Sequence, residues 1–354
     1  MLGLLALGFT SLMIYTLVKN ALFGIQLNKT SSYHGTIELI VCNGPQDNIS
    51  FEHWGNALSS YSSLSDQLIV HFLFDGLHSD LGKWQQLSQG KKWIKIHHFT
   101  QRPSESNSCP WMIDQISSSI QSSIVLITDS QTIPSNEAII SLGSFMLEKQ
   151  TPIYAIPQTA QVSTLSETIF SLNPTLSFIS LFGAKKWRRH FAKNLFSITD
   201  GLLCVDQKFF KELNFKASKN FSWKELFFKN FEDTGLRFQL AFGEKFLKRY
   251  HSQSSAAGLL EISQNWESMW SKKNKLPFWI FAISVFVWSF PLICLFTHPF
   301  WAMASFFLLV LYRFFTKIVF QESWTSVILH PVGSAYWIIG LFKFILKKFR
   351  QGQA

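Results

Sequence analysis

Short apolar runs alternate with longer, more polar stretches between residues 36 and 250. The runs are Ile37 to Cys42, Gln67 to Phe74, Trp93 to Ile96, Ser123 to Thr128 and Pro152 to Ile156. Short runs that are apolar throughout and rich in β-branched residues are typical of strands buried on both faces. Several of the stretches between them are long enough for a helix, so the pattern predicts an α/β domain with a mostly parallel sheet.

Longer apolar runs lie towards both ends of the chain. Residues 1–18 carry no charge and are rich in Leu, and residues 276–312 contain no Asp, Glu, Lys or Arg. Because about 20 apolar residues cross a bilayer, we predict an N-terminal transmembrane anchor at residues 1–23. We also predict two transmembrane helices within residues 276–318, joined by a turn at Thr297-His298-Pro299. The first run lacks the basic start and the cleavage site of a signal peptide, which favours an uncleaved anchor.

The last apolar segment, residues 330–347, is shorter and contains Lys343. It fits a third C-terminal transmembrane span after the two within residues 276–318, a re-entrant segment or an interfacial helix, and the interfacial helix is favoured. A Trp-rich segment at residues 251–275 is predicted to lie at the membrane interface. Basic residues follow the first span, precede the second and end the third, so the positive-inside rule places the α/β domain on the cytoplasmic side of an integral membrane protein.

The composition agrees with a membrane protein. Only 15% of the residues are charged, against roughly 25% in soluble proteins. The net charge of +10 suits nucleic acid or anionic lipid. No zinc finger, helix-turn-helix or RNP-like motif is present, so lipid is favoured and nucleic acid is not expected as a partner. The four cysteines lack metal-ligand spacing and are predicted to be free thiols in a reducing compartment.

An acidic and an amide side chain follow one of the predicted strands. Asp129 comes directly after Thr128, with Gln131 two residues further. Ligands of open α/β sheets bind beyond the carboxyl ends of the strands, where these side chains are expected. If the chain stays extended from residue 129 to residue 131, both side chains point the same way and their oxygens reach one ligand.

Several stretches, in this order, resemble motifs of family 2 glycosyltransferases of the GT-A type. They are IELIVCNGP (residues 37–45), LFDGLHSD (73–80), TDSQT (128–132) and FEDTGL (231–236). They resemble, in turn, the first strand of that family, its Asp-Gly turn, its D-x-D element and its Glu-Asp element. Two further stretches, WESMWSKKN (266–274) and HPVG (330–333), are similar to segments of membrane glycosyltransferases that act on carotenoid-derived and hopanoid-type lipids. That subgroup includes relatives of ceramide glucosyltransferase.

The resemblance implies a GT-A domain at residues 36–250, with a Rossmann-like nucleotide-diphospho-sugar transferase fold. It also implies a membrane-bound, inverting transferase that moves a sugar from a nucleotide-diphosphate donor to a lipid or amphiphilic acceptor. In such enzymes a base removes the acceptor proton while the hydroxyl displaces the nucleoside diphosphate.

The resemblance assigns roles to individual side chains. The catalytic base corresponds to Asp233, beside Glu232. The nucleotide sugar is expected to contact Asn43, Asp75 and Asp129.

The same resemblance implies a metal and an acceptor site. Asp129 and Gln131 are the expected ligands of a Mg²⁺ or Mn²⁺ ion that neutralises the diphosphate. Trp266, Trp270 and Lys272 are expected beside the acceptor and the diphosphate.

The chain departs from the family pattern in two places. Gln131 replaces the second Asp of the D-x-D element, and no Lys precedes the strand in Ser108–Met112. These departures leave open a catalytically impaired homologue that acts as a binding or partner protein. Structural roles are open as well: Glu232 and Asp233 as carboxylates at a helix start, Asp75 as a turn residue, and the tryptophans as amphipathic interface residues.

Overall fold

The structure, a computed structural model, describes residues 2–21, 25–26, 33–42, 48–76, 81–100, 108–159, 201–213, 215, 223–224, 226–227, 238–242, 247–249, 259, 262–263, 266–267, 269–270, 275–320 and 324–351. The chain divides into two compact units. The α/β unit comprises Ile25–Gln158 and Asp200–Tyr250, and the helical unit comprises Met1–Gly24, Thr159–Thr199 and His251–Ala354. The helices include α1 (Leu2–Ala21), α2 (Asn48–Tyr61), α3 (Leu81–Ser88), α4 (Ser108–Ser117), α5 (Asn136–Lys149), α6 (Gln207–Glu212), α7 (Leu276–Ile293), α8 (Pro299–Phe320), α9 (Trp324–Ile328) and α10 (His330–Gln351).

Two sheets form the α/β unit. The strands are β1 (Ile25–Gln26), β2 (Ile37–Cys42), β3 (Leu68–Asp75), β4 (Ile94–Phe99), β5 (Ile124–Asp129), β6 (Thr132–Pro134), β7 (Ile153–Ile156), β8 (Gln158–Thr159), β9 (Leu202–Asp206), β10 (Gln239–Phe242) and β11 (Leu247–Arg249). Among the described residues, the main sheet has eight strands in the order β1-β10-β7-β9-β5-β2-β3-β4, and a small sheet has the order β6-β11-β8.

The main sheet is mostly parallel, as the sequence predicted, because all of its described strands except β9 run in one direction. Strands β5, β2, β3 and β4 run in one direction. Strand β9 is antiparallel to both of its neighbours, β5 and β7. The prediction of a mostly parallel α/β sheet is therefore confirmed, and the parallel strands bring four carboxyl ends to one edge.

Alternate residues of the parallel strands build the core on one face of the sheet. Val41 and Phe72 are fully buried there, together with the helix residues Trp54 and Trp84. The Phe72 ring centroid lies 5.2 Å from that of Trp54 and 4.6 Å from that of Trp84. Burying a side chain of this size contributes about 1.5–3 kcal/mol, so these contacts fix α2 and α3 against the sheet.

In the helical unit, α1 packs against α8, and α7 packs against α8 and α10. The two helices predicted within residues 276–318 are confirmed as helices, with the break at the predicted turn. Of the described helices, one is long and apolar enough to cross a membrane, at Pro299–Lys317, while Gly3–Thr16 and Phe278–Ile293 are apolar but shorter. Length and composition alone are weak evidence for a span, so the N-terminal anchor and both later spans stay predictions.

Candidate functional site

Asp75 and Asp129 lie at the same edge of the main sheet. Asp129 is the last residue of β5 and pairs with Cys42 at the end of β2. Asp75 is the last residue of β3 and pairs with Phe99 at the end of β4. Because β5 and β3 flank β2 on either side, the two aspartates are two strand spacings apart, roughly 10 Å across the sheet. One elongated polar ligand can bridge that distance.

Asp75 is held at the end of its strand by a contact from α4. Its Oδ2 accepts a hydrogen bond from Ser108 Oγ at 2.5 Å, at the first residue of α4. Gly76 follows directly with φ +80°, and its N–H donates to Phe99 O at 3.0 Å. A backbone in this region favours glycine because it has no Cβ. The Ser108 hydrogen bond helps to fix the direction of the Asp75 side chain.

Asp129 opens a second fixed turn. Its Oδ1 accepts the Gln131 N–H at 3.1 Å, and the indole N–H of Trp54 donates to Ser130 O at 2.7 Å. The prediction that residues 129–131 stay extended is wrong, because β5 ends at Asp129 and this side-chain contact closes a turn before β6. Whether the Gln131 amide reaches the same ligand as Asp129 therefore stays a prediction.

Lys224 is a site residue that the sequence did not reveal. Its Nζ lies 3.4 Å from Asp129 Oδ2, and the residue is only 8% exposed. The Trp223 ring centroid lies 5.6 Å from the same Nζ, within the range of a cation–π contact. Lys224 is 95 residues from Asp129 in the sequence, and no short-range motif connects them.

The start of α4 connects the surroundings of the two aspartates. Ser108 contacts Asp75, and the next residue, Cys109, is buried beside the Cys42 thiol. Burial raises the pKa of the Cys109 thiol well above its usual value, and Cys42 and Asp129 raise it further, while Lys224 lowers it. Cys109 is therefore a protonated, inert thiol that packs beneath the edge.

A row of polar side chains crosses the opposite face of the sheet from the aromatic core. Glu38 Oε1 accepts hydrogen bonds from Gln121 N and Ser122 Oγ, both at 3.2 Å. His71 Nδ1 lies 3.1 Å from His97 Nε2, while His71 Nε2 lies 3.7 Å from Glu38 Oε2, which is too long for a hydrogen bond. Burial, then the charges of His97 and Lys95, lower the pKa of His71 to about 3. The buried imidazole is therefore neutral.

The predicted acceptor tryptophans have structural contacts. Trp266 is fully buried in the helical unit, and its indole N–H donates to Trp337 O at 3.0 Å. Trp270 is half-buried, with Lys275 Nζ 4.6 Å from its ring centroid and Phe278 packed edge-on at 4.9 Å. These contacts fix both rings in place, and their contact with an acceptor stays a prediction.

Four predicted site residues lie outside the described residues: Asn43, Glu232, Asp233 and Lys272. The predicted convergence of Asp233 with Asp75 and Asp129 stays a prediction for the same reason.

The described residues do not by themselves fit a divalent-cation site. Asp129 offers one carboxylate, which is already engaged by Lys224 and by the Gln131 N–H. Gln131 adds only a neutral amide. Within the described part of the chain, no three His, Cys, Asp or Glu side chains are grouped to hold a metal ion. Mg²⁺ and Mn²⁺ prefer several oxygen ligands, usually with at least one carboxylate free to bind.

The fold resembles that of solved glycosyltransferases. A mannosyltransferase, PcManGT from Pyrobaculum calidifontis in complex with GDP-Man and Mn²⁺, aligns with a TM-score of 0.51 at 12% identity, covering 98% of this chain and 100% of that chain. A fragment of TarS from S. aureus in complex with UDP-GlcNAc aligns with a TM-score of 0.42 at 11% identity, covering 90% of this chain and 92% of that chain. No protein-family model matches the sequence, and no curated protein matches it significantly. The mannosyltransferase alignment confirms a GT-A-like fold.

Proposed function

We propose that the chain is a glycosyltransferase that moves a sugar from a nucleotide-diphosphate donor to a lipid or amphiphilic acceptor. The main support is that Asp75 and Asp129, from separate strands, lie at one carboxyl edge of a GT-A-like sheet, with Lys224 against Asp129. Carboxylates accept hydrogen bonds from hydroxyl and N–H groups of a nucleoside, and an ammonium complements phosphate. The mannosyltransferase with the same fold is in complex with GDP-Man, which supports a nucleotide sugar here.

In this proposal the donor lies across the edge between the two aspartates. Asp75 binds the base or ribose, with Asn43 beside it, and Asp129 lies near the ribose and the diphosphate. The acceptor hydroxyl attacks the anomeric carbon from the side opposite the leaving diphosphate, so the configuration inverts. Asp233, next to Glu232, takes the acceptor proton, a step that is typically worth about 10²–10⁴-fold in rate.

The acceptor is proposed to be a lipid because the helical unit has apolar side chains on its surface. On α8, Phe300, Met303 and Phe307 lie on one helical face and are 73%, 71% and 68% exposed. An exposed apolar stripe of this kind marks a membrane or protein contact. Trp270 and Lys272 are proposed to lie beside the acceptor, as in the membrane enzymes of family 2.

The C-terminal helix α10 favours the interfacial alternative for its segment. Phe342, Leu346 and Phe349 are exposed at helical spacing, 55%, 57% and 67% respectively. Lys347 and Arg350 lie beside this stripe and are also exposed. Such a helix is suited to lie in the plane of an anionic leaflet, where each basic residue contributes about 1 kcal/mol. We propose an integral membrane protein with the α/β unit in the cytoplasm.

Donor binding and turnover test the function. The full-length chain in detergent is titrated with UDP- and GDP-sugars in the presence of Mn²⁺ by calorimetry, and release of the nucleoside diphosphate is followed. We expect one donor to bind, and Asp75→Asn or Asp129→Asn to weaken its binding about tenfold or more. Asp66→Asn changes an exposed aspartate just before β3, away from the carboxyl edge, and serves as the matched control. Asp233→Asn should abolish turnover and leave binding intact.

The outcomes separate the two candidate functions. If no nucleotide sugar binds, the glycosyltransferase proposal is overturned. If a donor binds without turnover in the presence of membrane lipids, the chain is an impaired homologue. This alternative is favoured by Gln131, which stands where the D-x-D element has its second Asp. If Asp233→Asn also loses binding, Asp233 is structural.

A further inference from the structure

Lys224 brings a buried positive charge to the carboxyl edge of the sheet. Its Nζ lies 3.4 Å from Asp129 Oδ2, and only 8% of the residue is exposed. An ammonium removed from water needs a compensating partner, and Asp129 supplies the opposite charge. Because solvent screening is weak at this depth, the Lys224 charge acts strongly on any group that binds beside Asp129.

Buried aromatic side chains close to Lys224 in the sequence hold it in place. Trp223 and Phe227 are both buried, and the Phe227 ring packs edge-on against Phe209 with centroids 5.9 Å apart. The Trp223 ring lies close to the Lys224 ammonium, as described above. Lys224 is thus anchored on its apolar side by the core and on its polar side by Asp129, and its ammonium stays at the edge.

The charges at the Asp129 turn balance without a divalent cation. In a D-x-D element, two carboxylates and one divalent cation sum to zero. Here the Asp129 carboxylate, the neutral Gln131 amide and the Lys224 ammonium also sum to zero. Both Asp129 oxygens are engaged, Oδ1 by the Gln131 N–H and Oδ2 by Lys224. A divalent cation at Asp129 Oδ2 would therefore compete with the ammonium for this oxygen.

We propose that Lys224 binds the donor diphosphate and supplies the positive charge that a divalent cation provides in other enzymes of this fold. The inference rests on the proposed function, because it requires a nucleoside diphosphate at this edge. An ammonium has three N–H donors. Binding a diphosphate requires at least one of them to point at a phosphate oxygen while another stays on Asp129.

The same charge serves the transfer step. The acceptor oxygen bonds to the anomeric carbon while the bond from that carbon to the diphosphate oxygen breaks. The electron pair leaves with the diphosphate, and the acceptor proton goes to the general base. Lys224 stays protonated throughout and stabilises the negative charge that develops on the leaving oxygen.

Calorimetric binding of UDP and of GDP to the full-length chain tests the inference, with EDTA and with Mn²⁺ in parallel. Wild type should bind one of them equally well in both conditions. Lys224→Met should weaken binding about ten- to a hundredfold, the value of a lost charge-assisted hydrogen bond. Lys224→Arg should retain most of the affinity. Lys208→Met, which changes an exposed lysine of α6, is the matched control and should bind like wild type.

Two further variants guard against a folding defect. Lys224→Met removes the ammonium that neutralises the Asp129 carboxylate. The double variant Lys224→Met/Asp129→Asn also removes the carboxylate charge, so the turn stays neutral. Thermal unfolding shows whether the double variant folds. It should fold and still fail to bind in EDTA. Gln131→Asp restores a second carboxylate and should make binding stronger in Mn²⁺ than in EDTA.

The results distinguish a failure of the proposed role of Lys224 from a failure of the proposed glycosyltransferase function. Binding that requires Mn²⁺ in the wild type, or wild-type affinity in Lys224→Met, overturns the role of Lys224 and leaves the proposed function standing. Absence of binding to either nucleotide in both conditions overturns the proposed function and this inference with it.

Discussion

Acid is predicted to destabilise the α/β unit through the buried row Glu38, His71 and His97. The pKa of His71 is lowered from 6.5 to about 3 in the folded chain, by burial first and then by the charges of His97 and Lys95. Between these two pH values the unfolded chain binds the proton and the folded chain does not, so stability falls as the pH falls. Each pKa unit corresponds to about 1.36 kcal/mol. Lowering the pH from 6.5 to 4 should therefore remove roughly 3 kcal/mol of the free energy of unfolding.

Urea denaturation of the full-length chain, followed by tryptophan fluorescence between pH 7 and pH 4, measures this effect. His71→Gln keeps a polar partner for His97 but cannot titrate, so its stability should depend on pH less steeply than that of wild type, by about 1 kcal/mol per pH unit. His34→Asn removes an exposed histidine of the same unit and should behave like wild type. If wild type and His71→Gln show the same pH dependence, the neutral buried imidazole is refuted.

Three other substitutions test the turns and the helix packing. Trp54→Phe loses the hydrogen bond to Ser130 O, and should lower the free energy of unfolding in urea by about 1–2 kcal/mol and weaken donor binding in calorimetry. Gly76→Ala puts a Cβ on a residue with φ +80°, and should cost about 1–2 kcal/mol in the same denaturation assay. A Cβ on Gly340 would contact the Ile262 side chain, so Gly340→Val should lower stability by about 1–3 kcal/mol through overpacking, measured by thermal unfolding in detergent. Wild-type stability in any of these variants would contradict the contact or the backbone conformation on which its prediction rests.

The strands that position the site were predictable because their sequence signal is local. The run from Ile37 to Cys42 coincides with β2, and the run from Ser123 to Thr128 begins and ends one residue before β5. Their short length and their β-branched residues favour a buried strand over a helix, although periodicity alone does not separate the two. Asp75 and Asp129 therefore lie at the ends of β3 and β5, at the carboxyl edge of the main sheet.

The antiparallel strand β9 was missed for a physical reason. It spans only Leu202–Asp206, and a short apolar run of this kind cannot be distinguished from part of a buried helix by periodicity. Its direction is set by its neighbours in the sheet, which a local pattern does not contain. The predicted runs correspond to the parallel strands β2, β3, β4, β5 and β7 and do not include β9.

The electrostatics of the site were not accessible from the sequence. Lys224 meets Asp129 only because the fold brings together two segments that are distant in the chain. The turn at Gln131 depends on the Asp129 carboxylate and on the Trp54 indole, which again is a tertiary contact. The sequence argument assumed an extended chain at residues 129–131. The structure has a turn there, which the Trp54 indole of α2 and the Asp129 carboxylate stabilise.

Photoaffinity labelling with azido-UDP and azido-GDP, with the cross-linked peptides mapped by mass spectrometry, tests whether a nucleoside diphosphate binds at the carboxyl edge of the main sheet. We predict labels in the peptides that directly follow β2, β3 and β5, and we expect these labels to be lost in the presence of excess unlabelled nucleotide. Labels that unlabelled nucleotide removes, but that lie only at the amino-terminal edge of the sheet or in the helical unit, would contradict a donor site formed by Asp75 and Asp129.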